Sequence, residues 1–102
     1  MSQENKKERK MLGARLKVLR LEQDLTQVAL ADRLGVERTF WVQIELGITK
    51  LPLKYHSRLC SILQLNSDWM VSLAKVFQPD VYAWHLEVLR GIEDNRKANI
   101  ND

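Results

Sequence analysis

Cysteine occurs once, as Cys60, so the chain can close no internal disulfide, and a reducing, cytoplasmic setting is expected. Cys60 lies in the apolar run RLCSILQL and reads as a small buried hydrophobe rather than a reactive thiol. Four glycines are too few and too scattered to form a glycine-rich phosphate loop. There is also no Ser-His-Asp set and no carboxylate pair in a plausible pocket, so a binding protein without a cofactor is expected rather than an enzyme. His56 and His85 stand far apart with no cluster of cysteines or carboxylates around either, which argues against a metal site. No apolar run nears the roughly 18 residues of a membrane span, so no membrane partner is expected. Alternating apolar and polar residues, internal repeats and low-complexity tracts are absent as well.

What remains is a chain of 102 residues, 45% of them apolar, enough for one compact core and too short for a second domain. Its net charge of +3 is small but uneven. At the front, Lys6, Lys7, Arg9, Lys10, Arg15, Lys17 and Arg20 oppose only Glu4 and Glu8. From residue 79 onward Asp80, Glu87, Glu93, Asp94 and Asp102 outnumber Arg90, Arg96 and Lys97. A basic front and an acidic tail suit a polyanion held at one end. Residues 1–10 read as a basic flexible arm.

Apolar spacing divides the rest into six helices. Leu12, Leu16 and Leu19 mark the first, over about 11–22. Asp24 interrupts it, and Thr26 offers an N-cap oxygen to a second, over about 26–34, with Leu30, Ala31 and Leu34 inward. Gly35 supplies a left-handed corner and Val36 an apolar plug. A third helix over 37–46 closes at Gly47, before a loop ending at Pro52. Tyr55, Leu59, Ile62 and Leu63 mark the fourth. Ser67 or Asp68 caps the fifth, which buries Met70, Leu73, Ala74 and Phe77. After Pro79, Val81, Trp84, Val88 and Ile92 make a stripe on a sixth, over about 80–94, and residues 96–102 should fray. The expected organisation is all-α, with a core domain at 11–78 and an additional helix at 79–95.

At 100° per residue, Trp41 and Ile44 fall on one side of the third helix, and Thr39, Val42, Gln43 and Leu46 on the other. Phe40 sits at the border. The first side anchors the helix; the second, with Arg38 at its shoulder, has the chemistry to read a DNA major groove. Guanidinium fits guanine O6 and N7, a side-chain amide fits adenine, and a small hydroxyl or methyl fits the thymine methyl. The short hinge would let the start of the second helix, with Gln27 and its unpaired N–H groups, meet a phosphate.

The stretch LGARLKVLRLEQDLTQVALADRLGVERTFWVQIELG, followed by LQLNSDWM, resembles the lambda-repressor and Cro-like (XRE) helix-turn-helix family over residues 11–72. The resemblance rests on Thr26-Gln27, Leu30-Ala31, Gly35-Val36, Trp41, Ile44, Glu45, Gly47 and the spacing to Ser67-Asp68-Trp69-Met70. It implies a five-helix domain in which Gln27 holds phosphate and Arg38, Thr39 and Gln43 occupy base-contacting positions. It also implies a structural ion pair between Arg20 and Glu45, and backbone contacts from Thr49 and Lys50. Three departures stand out. Asp24 replaces a frequent glycine, which its tolerance of the left-handed region permits. Glu37 brings negative charge to the start of the third helix. Val42 and Leu46 are apolar where the family usually carries polar or basic residues. Either Val42 and Phe40 read thymine methyls, or this face binds a protein.

The expected function is therefore a prokaryotic, sequence-specific DNA-binding transcriptional regulator, a repressor that binds an inverted repeat in double-stranded DNA as a homodimer. Val81, Trp84, Val88 and Ile92 would join the two copies, since a helix this apolar is costly to leave in water. Packing of that helix on its own domain is the simpler alternative. The rival function is a protein-interaction module, such as an antirepressor or an antitoxin-type protein, and a regulatory protein partner is compatible with either reading.

Overall fold

The computed structural model describes residues 3–100, apart from the side chains of residues 3–5, 81, 85 and 92–100. Its regular elements are six α-helices and one 3-10 turn: α1 Gln3–Glu22, α2 Gln27–Leu34, α3 Arg38–Glu45, the turn Leu53–Tyr55, α4 His56–Ile62, α5 Asp68–Phe77 and α6 Pro79–Ile100. The chain is all-helical, as expected from its periodicities. The molecule measures 57 × 30 × 20 Å, much longer in one direction than a compact domain of this length requires.

Both long helices exceed their expected bounds. α1 begins at Gln3, so the residues expected to form a flexible arm are helical from the third onward. The sequence MSQENKKERK contains no glycine or proline to stop a helix, and Arg9 turns inward, buried, to donate from Nε to the Gly47 carbonyl at 3.4 Å. At the other end α6 continues to Ile100, through most of the segment expected to fray; residues 101 and 102 lie outside the described part.

The core is a single cluster. Leu12 and Leu16 of α1 meet Leu30, Ala31 and Leu34 of α2, Trp41 and Ile44 of α3, Leu59, Cys60 and Leu63 near α4, and Leu73 and Phe77 of α5. The expected inward stripes of α1 to α5 coincide with this cluster, although Leu19, Tyr55, Ile62 and Met70 only border it and Ala74 is only partly buried. Cys60 is buried there, and burial pushes its thiol pKa up, away from thiolate chemistry.

The corners follow local rules. The Thr26 hydroxyl accepts from the Ala29 N–H at 3.0 Å, capping α2 as expected. Gly35 takes φ +85°, and Val36 N–H returns to the Ala31 carbonyl at 3.0 Å, closing α2 in a Schellman turn. Asp24 adopts φ +56° in the corner before α2. Two expectations need correction. Ser67 precedes α5 but forms no side-chain cap; its own backbone is already helical, and its carbonyl receives the Met70 N–H at 3.0 Å. The fourth helix is shorter than the apolar pattern suggests, because Gln64 turns to φ +56° and Leu65 N–H closes on the Cys60 carbonyl at 2.8 Å.

Candidate nucleic-acid interface

The geometry of α2 and α3 depends on one buried carboxylate. Glu45, at the end of α3, receives Arg20 Nε on Oε2 at 2.7 Å and Arg20 Nη2 on Oε1 at 3.2 Å. Gln27 Nε2 donates to Oε1 at 3.1 Å, and the indole N–H of Trp41, one turn earlier, donates to Oε2. Arg20 completes the network by donating from Nη1 to the Leu25 carbonyl at 2.7 Å. Four donor contacts on two oxygens leave the charge well satisfied, and the bidentate fork fixes orientation as well as distance. One residue thus clamps the end of α1, the α1–α2 corner, the first residue of α2 and the last turn of α3.

The ion pair implied by the family resemblance is therefore present. Gln27, expected to hold phosphate, spends one amide N–H on Glu45 instead; the other remains available from its half-buried position. At the far end of α2, Arg58 from α4 donates to the Leu34 carbonyl at 2.9 Å, a contact that sequence periodicity could not anticipate. Both ends of α2 are consequently tied to neighbours through side chains.

On α3 the buried residues are Trp41, Ile44 and Glu45, while Arg38, Thr39, Gln43 and Leu46 are exposed and Val42 is partly so. The outward and inward sides are those expected from the wheel. Phe40 differs. It packs against the core edge beside Val36, Pro52 and Tyr55, on the shoulder opposite Val42, so it does not share an outward surface with Val42. The ring borders the core there, and with Val36, Pro52 and Tyr55 it lines one wall of a surface hollow.

After α3, Gly47 takes φ +75°, and Ile48 N–H returns to the Gln43 carbonyl at 2.9 Å. Thr49 Oγ1 then donates to Gln43 Oε1 at 3.1 Å. This bond turns the Gln43 amide so that its NH2 group is the part left for a ligand, suiting acceptors such as guanine O6 and N7 or thymine O4. Thr49 is thereby engaged with Gln43, and Lys50 beside it is exposed.

At the C-terminal side, Trp84 is 63% exposed and Val88 38%, while the side chains of Val81 and Ile92 lie outside the described residues. Leu86 and Leu89, on the other side of α6, are also exposed. Among the described residues no three His, Cys, Asp or Glu side chains are grouped to hold a metal ion. No helix among them is long and apolar enough to cross a membrane.

The arrangement is a helix-turn-helix: two eight-residue helices joined at a glycine corner, the second anchored on one side and exposed on the other. A family model described as a helix-turn-helix domain matches residues 11–71, more than half the chain. The chain belongs to the helix-turn-helix family of the XRE and Cro-like type. Searches of curated proteins and of solved structures gave no match. Family membership suggests a DNA-binding regulator.

Proposed function

We propose that this chain is a sequence-specific, DNA-binding transcriptional repressor of a prokaryotic cytoplasm, that it binds an inverted repeat as a homodimer, and that it is not an enzyme. The observation that carries this reading is the exposed edge of α3, where Arg38, Thr39, Val42 and Gln43 project from a helix whose opposite side is held by Trp41, Ile44 and the Glu45 clamp. Such an edge can enter a major groove without rearrangement, and its donors and methyl groups match base edges there. Lys50 and the second amide N–H of Gln27 supply phosphate contacts, Thr49 orients Gln43, and Val42 without Phe40 meets a thymine methyl.

The homodimer reading rests on α6. Trp84, Leu86, Val88 and Leu89 are exposed along a helix whose main packing partner in the domain is α5. Pairing two copies through the Trp84 and Val88 side of this helix would remove those side chains from water and give two reading heads about one helical turn of DNA, roughly 34 Å, apart.

The test is selection from a random DNA pool with the purified full chain, followed by binding of the enriched sequence over a range of salt. An enriched inverted repeat, with affinity falling steeply as salt rises, is the expected result. A folded chain that enriches nothing would instead favour a protein-interaction module. Leu46 and Ile48, 56% and 63% exposed beside the reading edge, give that second reading its support.

A further inference from the structure

α1 has two unlike flanks, and one of them lies beside the helix-turn-helix. Its inward side carries Arg9, Leu12, Leu16 and Arg20, all buried. On one flank, Arg15 lies over the Trp69 ring at 5.1 Å and Met11 lines a hollow with Ser72 of α5. On the opposite flank, within about 40° of one another on the wheel, stand Lys6, Lys10 and Lys17, all exposed. None of the three has an ion-pair partner among the described residues, where the recorded ion pair is that of Arg20 and Glu45.

This lysine edge meets the helix-turn-helix at Lys10 and at Lys17. A methyl placed on Gly13, on the same flank, would collide with the carbonyl oxygens of Ile44 and Glu45, so α1 crosses the end of α3 at backbone contact. A methyl on Gly47 would fall 2.6 Å from Lys10 Cα, which sets Lys10 beside the turn leading to Thr49 and Lys50. Lys17 shares a hollow with Thr26 and Gln27 at the start of α2. The acid lining that hollow is Asp24, beyond the end of α1.

We infer that Lys6, Lys10 and Lys17 form a phosphate-binding rail along α1, bridging the contact at the start of α2 and the contact after α3. The inference rests on the DNA-binding reading and names residues of the same interface. From Lys6 to Lys17 the helix rises about 16 Å, enough to meet more than one phosphate of a strand whose charges recur about every 3.4 Å along the axis. Lys6 and Lys10 precede the segment matched by the family model, so this part of the rail is an addition made by the helical extension. Lysine suits the role, since it acts as a point charge on phosphate and carries no base preference of its own.

The experiment compares the full chain with K6Q/K10Q/K17Q, using the selected DNA and a random duplex at several salt concentrations. Arg15→Gln, on the opposite flank, serves as control, and circular dichroism checks that all three chains are folded. The triple variant is expected to lose affinity for both duplexes by the same factor, and its log–log salt slope to fall by about 2 to 3 units, about 0.9 per lost phosphate contact. The control is expected to keep the parent slope. An unchanged slope in the folded triple variant, with the parent binding steeply, would overturn the rail and leave the DNA-binding reading standing. A parent chain that shows no salt-dependent DNA binding would overturn both.

Discussion

The two longest helices, α1 with 20 residues and α6 with 22, stand at opposite ends of the chain and are treated oppositely by the fold. Neither has a sharply amphipathic sequence. α1 is nevertheless held along its length, by Arg9 on the Gly47 carbonyl, Leu12 and Leu16 in the core, Gly13 against the end of α3, and Arg20 on Glu45. α6 packs mainly on α5 and exposes Trp84, Leu86, Val88 and Leu89. Their unlike packing shows that helix length and average hydropathy say little about burial. A few residues at close-approach points decide it, and these are glycine and paired charge in α1.

The largest test of that contrast is Glu45→Ala, which leaves Arg20 buried without its counter-charge and frees Gln27 and the Trp41 N–H. A loss of about 3 to 5 kcal/mol in urea unfolding is expected. A loss below 1 kcal/mol would mean that α1 is not clamped through this residue. Next comes Gly13→Ala, where a methyl must push α1 away from the α3 carbonyls, for an expected cost of about 1 to 3 kcal/mol. The same substitution in α6, Gly91→Ala, meets nothing within 4 Å and should stabilise by roughly 0.5 to 1 kcal/mol through helix propensity. If thermal melts moved in the same direction for both variants, the contrast between the helices would be wrong.

Acid sharpens the comparison at the root of α6. His56 is fully buried, with Nε2 donating to the Leu51 carbonyl at 2.8 Å and Nδ1 left without a partner. Its ring faces Phe77 at 6.1 Å between centroids, and Gln78 donates to the same Leu51 carbonyl at 3.4 Å. Burial lowers the His56 pKa from its ordinary value of 6.5, and the carbonyl bond opposes that only in part. Below 6.5 the unfolded chain therefore takes up this proton before the folded chain does. Stability from His56 is present above that pH and is lost as pH falls toward the lowered folded-state value. Urea midpoints for the parent and His56→Gln between pH 7.5 and 5 should show a smaller decline in the variant; equal slopes would rule His56 out as the cause.

The smallest effect on the domain itself is expected from removing α6. A chain ending at residue 78 should melt close to the parent, yet sediment as a monomer where the parent sediments as a dimer. A truncated chain that is still dimeric would sink the role proposed for α6.

Much of the helix-turn-helix was legible in the sequence because its signals are local. Thr26, Gly35-Val36, Gly47 and the Trp41–Ile44 spacing act within one or two turns, so periodicity and turn chemistry locate them. The core stripes of α1 to α5 were legible for the same reason. Less legible were features set by contacts between distant segments. The packing of Phe40 at the core edge beside Val36 and Tyr55, the Gln27 bond to Glu45, and the Arg58 cap on α2 depend on which neighbours arrive. The helical start at Gln3 is hidden by charge density, which resembles that of a flexible arm, whereas nothing in those residues breaks a helix and Arg9 reaches the Gly47 carbonyl.

Taken by itself, the sequence determined six helical segments, one core and the identity of the helix that presents Arg38, Thr39, Val42 and Gln43. These follow from backbone sterics and the 3.6-residue repeat, which act over short range. Only the tertiary structure decided that Glu45 would gather four donor contacts from three segments, and that Thr49 would turn the Gln43 amide outward. It also decided that Lys10 of α1 would lie beside Gly47, and Lys17 beside Thr26 and Gln27. Hydrogen bonds and charge contacts between residues far apart in the chain have no periodic signature, and exist only once packing has brought the groups within about 3 Å.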